Sequence, residues 1–253
     1  MKKNLYYKNV FGRRNGIKAF FYSLFISIAS WPRLLLEVFT RSNMGERYFS
    51  FSSSIILTVI LAIAPYAGEY SRNYGSVEVG KFLLHNLTWY AYLAAFMYFS
   101  IQRRKEIKTL PGVFDFKRFS LSGGVIDKRL TDLRFNGQKF NIRTLECLIE
   151  PAFFFIIGLG LLLLGQNIGY LITICSIIYS LSYCAAYDIG DNFIMDKIDE
   201  IICGEELTKD LKDDNDTSKS RGFNAYGRKP SDPELRKKTM DAMFENDGFE
   251  PAI

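Results

Sequence analysis

The residue types that carry most protein chemistry are few in this chain, and their spacing does not suit it. His85 is the one histidine in 253 residues, which removes most histidine-based catalysis and metal binding from consideration. The cysteines lack the CxxC spacing that zinc and redox sites use; they are Cys147, Cys175, Cys184 and Cys203. We therefore expect no enzyme activity, no metal site and no cofactor.

Two further patterns resemble ligand sites only superficially. Four acidic residues follow the last apolar run: Asp191, Asp196, Asp199 and Glu200. They lack the D-x-D-x-D-G frame of a calcium loop and lie opposite isoleucines at positions 194, 198, 201 and 202, so they are typical of the solvated face of an amphipathic helix. The pair Gly123-Gly124 lacks the GxxxxGK[ST] frame of a phosphate loop.

The elements that would position any site are apolar runs of membrane-spanning length. Crossing roughly 30 Å of hydrocarbon takes about 20 residues of helix at about 1.5 Å per residue. Four runs approach or meet that length: 50–67, 82–101, 148–165 and 168–187. The short connections 68–81 and 165–167 favour pairing within each half of the chain. The sequence therefore predicts an all-α polytopic membrane protein whose four transmembrane helices form two hairpins.

An earlier apolar stretch, 19–31, is too short by the same measure, since thirteen residues reach only about 20 Å. Its serines gather on one helical face and its aromatic and aliphatic residues on the other, which favours an interfacial helix. We expect Pro32 to kink this helix or to restart it before 34–39.

Orientation and domain organisation follow from the charges. Lysines and arginines concentrate before the first run and after Ile101, and few lie in 68–81, which predicts cytoplasmic termini in a bacterial inner membrane. The segment 101–145 holds eleven basic and four acidic residues, whereas 188–253 holds ten basic and seventeen acidic. The predicted domains are a basic N-terminus (1–49), hairpin 1 (50–101), a basic cytoplasmic α+β module (102–147), hairpin 2 (148–187) and a helix extension, disordered linker and terminal helix (188–253).

The basic module carries two turn patterns, Ser122-Gly123-Gly124 and Asn136-Gly137, and the second predicts a β-hairpin. Its lysines and arginines could contact anionic lipid or a nucleic acid, and we expect membrane lipids rather than nucleic acid as the partner. Disorder is expected over 204–230, which is polar and charged.

Two stripes of small or hydroxyl-bearing residues predict helix–helix interfaces. The first comprises Ser50, Ser54, Thr58 and Ala62, and the second Gly169, Thr173, Ser176, Ser180 and Cys184. They either pack the two hairpins together or contact other subunits in a homo- or hetero-oligomer. Asp, Glu, Lys and Arg are missing from the depth of all four predicted spans, which argues against an ion-coupled transporter.

The C-terminal tail ends in a short amphipathic helix. Ser231 and Glu234 have capping-box spacing with Pro233 between them, at an early helical position. The partner-binding face would comprise Leu235, Met240, Met243 and Phe244. This helix either docks into a groove of a partner protein or folds back on the basic module.

Several phrases together resemble a known group of proteins. They are Met44–Ser50 (MGERYFS), Phe119–Gly124 (FSLSGG), Glu150-Pro151 with Gly158, and Asp196–Asp199 (DKID). The arrangement over 40–203 resembles small inner-membrane accessory proteins encoded with conjugative or mobilisable elements. The resemblance implies a membrane subunit of a transfer or secretion machine, and we expect a non-enzymatic scaffold of a larger assembly. The alternative is an oligomeric channel or small-molecule transporter.

Overall fold

The structure, a computed structural model, describes residues 3–12, 16–72, 79–109, 113–135, 137–212 and 221–245. These residues are mostly helical. The chain divides into two compact units, one formed by Tyr22–Tyr187 and the other by Met1–Phe21 with Asp188–Ile253. The helices are α1 (Gly16–Thr40), α2 (Phe51–Arg72), α3 (Val79–His85), α4 (Leu87–Thr109), α5 (Lys128–Thr131), α6 (Ile142–Thr144), α7 (Glu150–Leu163), α8 (Ile168–Lys212) and α9 (Pro233–Met243).

Short strands, π-helical turns and a 3₁₀ turn complete the described elements. The strands are β1 (Lys3–Asn4), β2 (Arg41–Ser42), β3 (Val125–Ile126), β4 (Arg134–Phe135), β5 (Gln138–Lys139) and β6 (Phe244–Glu245). They pair antiparallel as β1 with β6, β2 with β3 and β4 with β5. The π-helical turns are Tyr7–Phe11 and Leu145–Ile149, and the 3₁₀ turn is Val113–Asp115.

Four described helices are long and apolar enough to cross a membrane, which indicates a multi-pass membrane protein. They cover Gly16–Thr40, Phe51–Tyr70, Ile142–Leu163 and Ile168–Leu211. The number of candidate spans equals the number predicted, but the segments that form them are not all the same. The predicted span 82–101 is divided between α3 and α4, which Asn86 separates, and neither helix is among the four.

α1 replaces that segment among the four, and its predicted length is wrong. It runs for 25 residues through Pro32 without a restart, about 37 Å by the rise of an α-helix. The sequence interpretation ended the apolar run at Trp31 because Pro32 and Arg33 follow; Glu37 lies one turn further on. The side chains of Arg33 and Glu37 are buried within the protein, where they are paired with each other. Their charges therefore do not end the helix.

The core of the larger unit lies where five helices meet. It is built mainly from the second half of α1, from α2, α4 and α7, and from the first part of α8. α2 packs on α4, where the Trp89 indole donates to the Leu61 carbonyl at 2.8 Å and the Tyr90 hydroxyl to the Ala62 carbonyl at 3.1 Å. Core side chains include Leu34, Leu36, Val38, Met44, Phe49, Phe96, Phe154, Ile172 and Tyr179.

α7 and α8 approach closely through glycines. A Cβ atom on Gly158 would lie 2.9 Å from the Thr173 nitrogen, and one on Gly169 would lie 2.7 Å from the Gly158 carbonyl oxygen. The connection between the helices turns at Gly165, whose φ of 70° is in the left-handed region that glycine adopts easily. Small residues therefore set the distance between these two helices.

The segment after α4 is built around two strand pairs. β4 and β5 place Arg134 opposite Lys139 on either side of Gly137, at the predicted hairpin, whereas Asn136 lies outside the described residues. The sequence analysis did not predict the second pair. β2, directly after α1, places Arg41 opposite Ile126 of β3 and so ties the α1–α2 connection to the middle of the chain.

The smaller unit contains the N-terminus, the end of α8 and the tail. Phe11 packs its ring against those of Phe223 and Tyr226, with centroids 5.8 and 5.6 Å apart. Residues 204–212 are helical and Arg221 bonds to Glu205 and Glu206, so the disorder predicted over 204–230 is wrong for those parts. Residues 213–220 lie outside the described ones.

Candidate functional site

The strongest concentration of functional groups in the larger unit begins on α1. Arg33 and Glu37 are one helical turn apart, and Arg33 Nε donates to Glu37 Oε1 at 3.1 Å. Spacing of four places such side chains on one face of a helix. Thr40 and Arg41 follow on the next turn, where the helix ends and β2 begins. All four are buried, so this end of α1 carries charge into the protein interior.

Two tyrosines from distant parts of the chain surround the Glu37 carboxylate. The Tyr48 hydroxyl lies 2.8 and 2.7 Å from its two oxygens, and the Tyr183 hydroxyl donates to Oε1 at 2.9 Å. Arg33 also donates to the Tyr48 hydroxyl, and its guanidinium lies 4.0 Å from the centre of the Tyr183 ring. Glu37 is 2% exposed, and these donors replace the water that its charge would bind.

A second set of hydrogen-bonded charged side chains surrounds Glu150 at the start of α7 and Glu146 just before it. Arg41 Nη2 donates to Glu150 Oε2 at 2.6 Å and Arg41 Nε lies 3.1 Å from both oxygens, which is a bidentate arrangement. The Thr40 hydroxyl donates to Glu150 Oε1 at 2.6 Å. Arg41 Nη1 donates to Glu146 at 3.2 Å, and the Tyr187 hydroxyl donates to the other oxygen of Glu146 at 2.6 Å.

The ring of Tyr183 joins the two groups. The guanidinium of Arg41 lies 4.8 Å from its centre, so the ring contacts both arginines. Attraction of a guanidinium to a desolvated aromatic face is worth about 2 kcal/mol. We call the whole set the buried charged cluster; it comprises Arg33, Glu37, Thr40, Arg41, Tyr48, Glu146, Glu150, Tyr183 and Tyr187.

Glycines allow two loops to close over the cluster. A Cβ atom on Gly123 would lie 3.0 Å from Arg41 Nη1 and 3.4 Å from the Tyr183 hydroxyl. Gly45 donates to the Ser122 carbonyl at 2.8 Å, and a Cβ atom there would lie 2.8 Å from the Ser122 nitrogen. The backbone of 118–124 can therefore lie directly on the cluster and on the segment before α2.

Three of the four sequence phrases singled out above meet at this place. Met44–Ser50 supplies Tyr48, Phe119–Gly124 supplies Gly123, and Glu150-Pro151 supplies Glu150. The fourth, 196–199, belongs to the smaller unit. The phrases are far apart in sequence, and the fold brings three of them into one buried cluster.

The electrostatics of the cluster favour the protonated forms of Tyr48 and Arg41. Burial raises the pKa of the Tyr48 hydroxyl, and the charge of Glu37 raises it further, so the phenol stays protonated. Burial opposes the charge of Arg41, but Tyr179, Glu37 and Glu150 outweigh it and raise the pKa of that guanidinium. Buried ions are costly unless they are paired and hydrogen-bonded, and these have both kinds of partner.

This cluster was not predicted from the sequence, because Arg33, Glu37 and Arg41 lie outside the four predicted spans. Arg33 and Glu37 lie inside a helix able to span a membrane, and Glu150, which the sequence placed at an edge, is completely buried. The signal that could have indicated the site is the spacing of Arg33 and Glu37 within an otherwise apolar stretch. Their partners could not be predicted, since Tyr183 is 146 residues from Glu37.

The first predicted interface stripe lies on α2 and just before it. Ser54 is fully buried, and its hydroxyl donates to the Ser50 carbonyl at 3.3 Å. Thr58 donates to the Ser54 carbonyl at 2.8 Å, and the Ala62 carbonyl accepts from Tyr90 of α4. Ser50 is exposed. Both hydroxyls thus bond to backbone one turn earlier, and Ala62 supplies the contact with another helix.

The second stripe is used between helices. Ser176 donates to the Pro151 carbonyl at 2.9 Å and Ser180 to the Cys147 carbonyl at 2.6 Å. Gly169 and Thr173 lie at the close approach to Gly158. Cys184 is exposed. All five residues therefore face α7 or the turn that precedes it, since the exposed Cys184 also bonds to Cys147 of that turn.

The residues predicted to bind a partner lie on α9 and β6. Leu235 is 52% exposed, and Met240 and Met243 are half-buried. Phe244 lies in β6, where its backbone pairs with Asn4.

Among the described residues no three His, Cys, Asp or Glu side chains are grouped as metal ligands would be. Glu200 of the acidic set accepts from the Asn4 nitrogen at 3.2 Å.

Comparison of the chain with protein-family models, with curated proteins and with solved structures finds no match.

Proposed function

We propose that the protein is a non-enzymatic membrane anchor and scaffold, one subunit of a multi-protein assembly in a bacterial inner membrane. The observation that carries this proposal is α8, which continues for 45 residues. About 20 residues of helix cross the hydrocarbon, so roughly half of α8 extends beyond it. Its first part is apolar, whereas 188–212 carries acids and lysines. One helix thus serves as a membrane anchor and as part of an aqueous unit.

The buried charged cluster supports a structural role. Glu37 has Arg33, Tyr48 and Tyr183 as partners. Glu150 has Arg41 and Thr40. Arginine keeps its proton under all physiological conditions, so these groups are suited to fixing α1, α7 and α8 to one another rather than to transferring protons. A scaffold needs such a rigid junction.

The finer parts of the proposal come from the sequence. The distribution of lysine and arginine favours cytoplasmic termini, and the resemblance favours a conjugative transfer or secretion machine as the assembly. We expect other membrane or cytoplasmic subunits to bind the terminal helix α9, whose Leu235 is exposed.

Crosslinking of the full-length protein in its native membrane tests the scaffold role. We expect a crosslinked heteromeric complex that Leu235→Glu weakens, because a charge on the apolar face of α9 opposes docking in a groove. Lys237→Glu, at an exposed position about 200° around the helix, is the matched control and should leave the complex intact. A wild-type protein that stays monomeric and yields no crosslinked partner would contradict the proposal.

A channel or small-molecule transporter is the second candidate. One observation favours it: Arg33 and Glu37 lie buried inside a helix able to span the membrane, where ionisable residues often mark ion pathways. Ion flux into proteoliposomes that Glu37→Gln abolishes and that exposed Glu46→Gln leaves unchanged would support it. Liposomes without protein-dependent flux would exclude it.

A further inference from the structure

Three phenylalanines project from one loop of the larger unit, residues 113–121. Phe114 is 93% exposed, Phe116 99% and Phe119 70%. Phe116 has a φ of 54°, in a region that side chains other than glycine rarely adopt. Strained backbone and clustered exposed aromatic rings both point to a surface that binds something. We call residues 113–121 the phenylalanine loop.

Hydrogen bonds fix this loop beside the segment that precedes α2. The Arg47 nitrogen donates to the Ser120 carbonyl at 3.0 Å, and Arg118 donates to the Asn43 carbonyl at 2.7 Å. The candidate span of α2 begins at Phe51, only four residues after Arg47. The loop is thus tied to the residues just before this candidate span, and aromatic side chains concentrate at the ends of membrane spans.

The surroundings of the loop are basic. Arg104 at the end of α4 places its guanidinium 4.3 Å from the centre of the Phe51 ring, again at the start of the span. Segment 101–121 holds six basic and two acidic residues. Of its acids, Glu106 is paired with Arg103. Lys117 of the loop is exposed, as are Arg104, Lys105 and Lys108 of the segment that precedes it in sequence and Arg47, whose nitrogen bonds to the loop.

We propose that the phenylalanine loop is an interfacial anchor that binds an anionic lipid surface. Phe114 and Phe116 insert their rings among the headgroups, and the surrounding lysines and arginines attract the lipid phosphates. A bilayer is the occupant that fits, because the four apolar helices require one and the loop is tied to the end of one of them. The inference does not depend on the scaffold role.

Fluorescence of the full-length protein in lipid nanodiscs tests the proposal. Phe116→Trp is compared with wild type, so that the signal of the native tryptophans is subtracted. In phosphatidylglycerol discs we expect a blue-shifted emission from the introduced indole, strong quenching by brominated lipid and weak quenching by aqueous iodide. Phe114→Trp is a second probe in case the first variant fails to fold. Leu133→Trp, at an exposed position outside the loop, is the control and should remain open to iodide.

The charge of the lipid separates the outcomes. Quenching by brominated lipid should fall in phosphatidylcholine discs, at high salt and in Lys105→Glu/Lys117→Glu, since each change weakens attraction to phosphates. Equal quenching in both lipids would overturn the role of the cations. An indole that stays open to iodide in both lipids, or becomes protected only when RNA or a soluble protein is added, would overturn the lipid anchor. Equal quenching of the Leu133 control would overturn the assignment to this loop.

Discussion

The two halves of α1 have opposite surroundings. In the first half, Phe20, Phe21 and Ile28 are 62%, 61% and 63% exposed. In the second half, the charged residues Arg33 and Glu37 are only 9% and 2% exposed. In water this distribution would be unfavourable twice, since apolar surface would be hydrated and charge would be desolvated.

The difference shows what each half contacts. Lipid can cover the apolar side chains of the first half, as a helix long and apolar enough to span a membrane permits. Protein covers the second half, where the partners of Glu37 come from α8 and from the α1–α2 connection. Whether a side chain of α1 is buried within the protein therefore depends on whether other parts of the protein contact it, and not on its polarity.

The largest effect is expected from the ion pair beside the second half of α1. Glu150→Gln leaves the buried guanidinium of Arg41 without its main counter-charge and should lower the free energy of unfolding in detergent by about 3–5 kcal/mol. Glu46→Gln, at an exposed position, should change it little.

A companion variant separates charge pairing from packing in this ion pair. The double variant Arg41→Met/Glu150→Leu should recover much of the loss, because it removes both charges together. A loss below about 1 kcal/mol for Glu150→Gln would contradict the burial of this pair and weaken the contrast between the halves.

The next effect compares one apolar residue from each half. Leu36→Ala removes a side chain that is 1% exposed and should cost about 2–5 kcal/mol in the same assay, because a cavity forms. Ile28→Ala removes a side chain that is 63% exposed and should cost about 0.5 kcal/mol or less. Equal losses would mean that the first half packs against protein as the second does.

How far the sequence could predict this arrangement depends on the range of each signal. The helices that begin at Phe51 and Ile168 were predicted because an apolar run is a local property of the chain. The continuation of α1 beyond Pro32 was not, since the groups that accommodate Arg33, namely Glu37, Tyr48 and the Tyr183 ring, come together in the folded protein. Glu150 is 109 residues from Arg41, so no local pattern could pair them.

The interface stripes illustrate a partial success for the same reason. Spacing placed Ser176 and Ser180 on one helical face, and both donate to backbone that precedes or begins α7. Spacing did not reveal that Ser54 and Thr58 would bond to their own helix, because local hydroxyl-to-carbonyl bonds compete with bonds between helices. The break at Asn86 was also missed, since an asparagine within an apolar run is a weak local signal.

A smaller loss of stability is expected from a change at the contact between α7 and α8. Further along α8, Tyr183 bonds to Glu37 in the second half of α1. Gly158→Ala places a Cβ atom 2.9 Å from the Thr173 nitrogen and should cost about 1–3 kcal/mol, because backbone rather than a flexible side chain must move. Gly160→Ala on the same helix is the matched control, since a Cβ atom there meets nothing within 4 Å. Thermal unfolding of both variants in detergent is the measurement, and equal midpoints would contradict the close approach.

The smallest effect is a pH dependence from Tyr48, which ties the α1–α2 connection to the second half of α1. Burial and then the Glu37 charge raise the pKa of its hydroxyl above the ordinary value of 10.0. Because the folded state favours the protonated phenol, its contribution to stability is complete below that value and is lost as the pH rises through the higher pKa of the folded protein.

Between about pH 9 and pH 11 the wild type should therefore lose on the order of 1 kcal/mol more stability than Tyr48→Phe, since each pKa unit is worth about that much. Tyr70→Phe, which changes an exposed tyrosine, serves as the control. Parallel curves of unfolding midpoint against pH for the wild type and Tyr48→Phe would show that Tyr48 titrates as in water, and the connection would then be less firmly buried against α1 than its hydrogen bonds indicate.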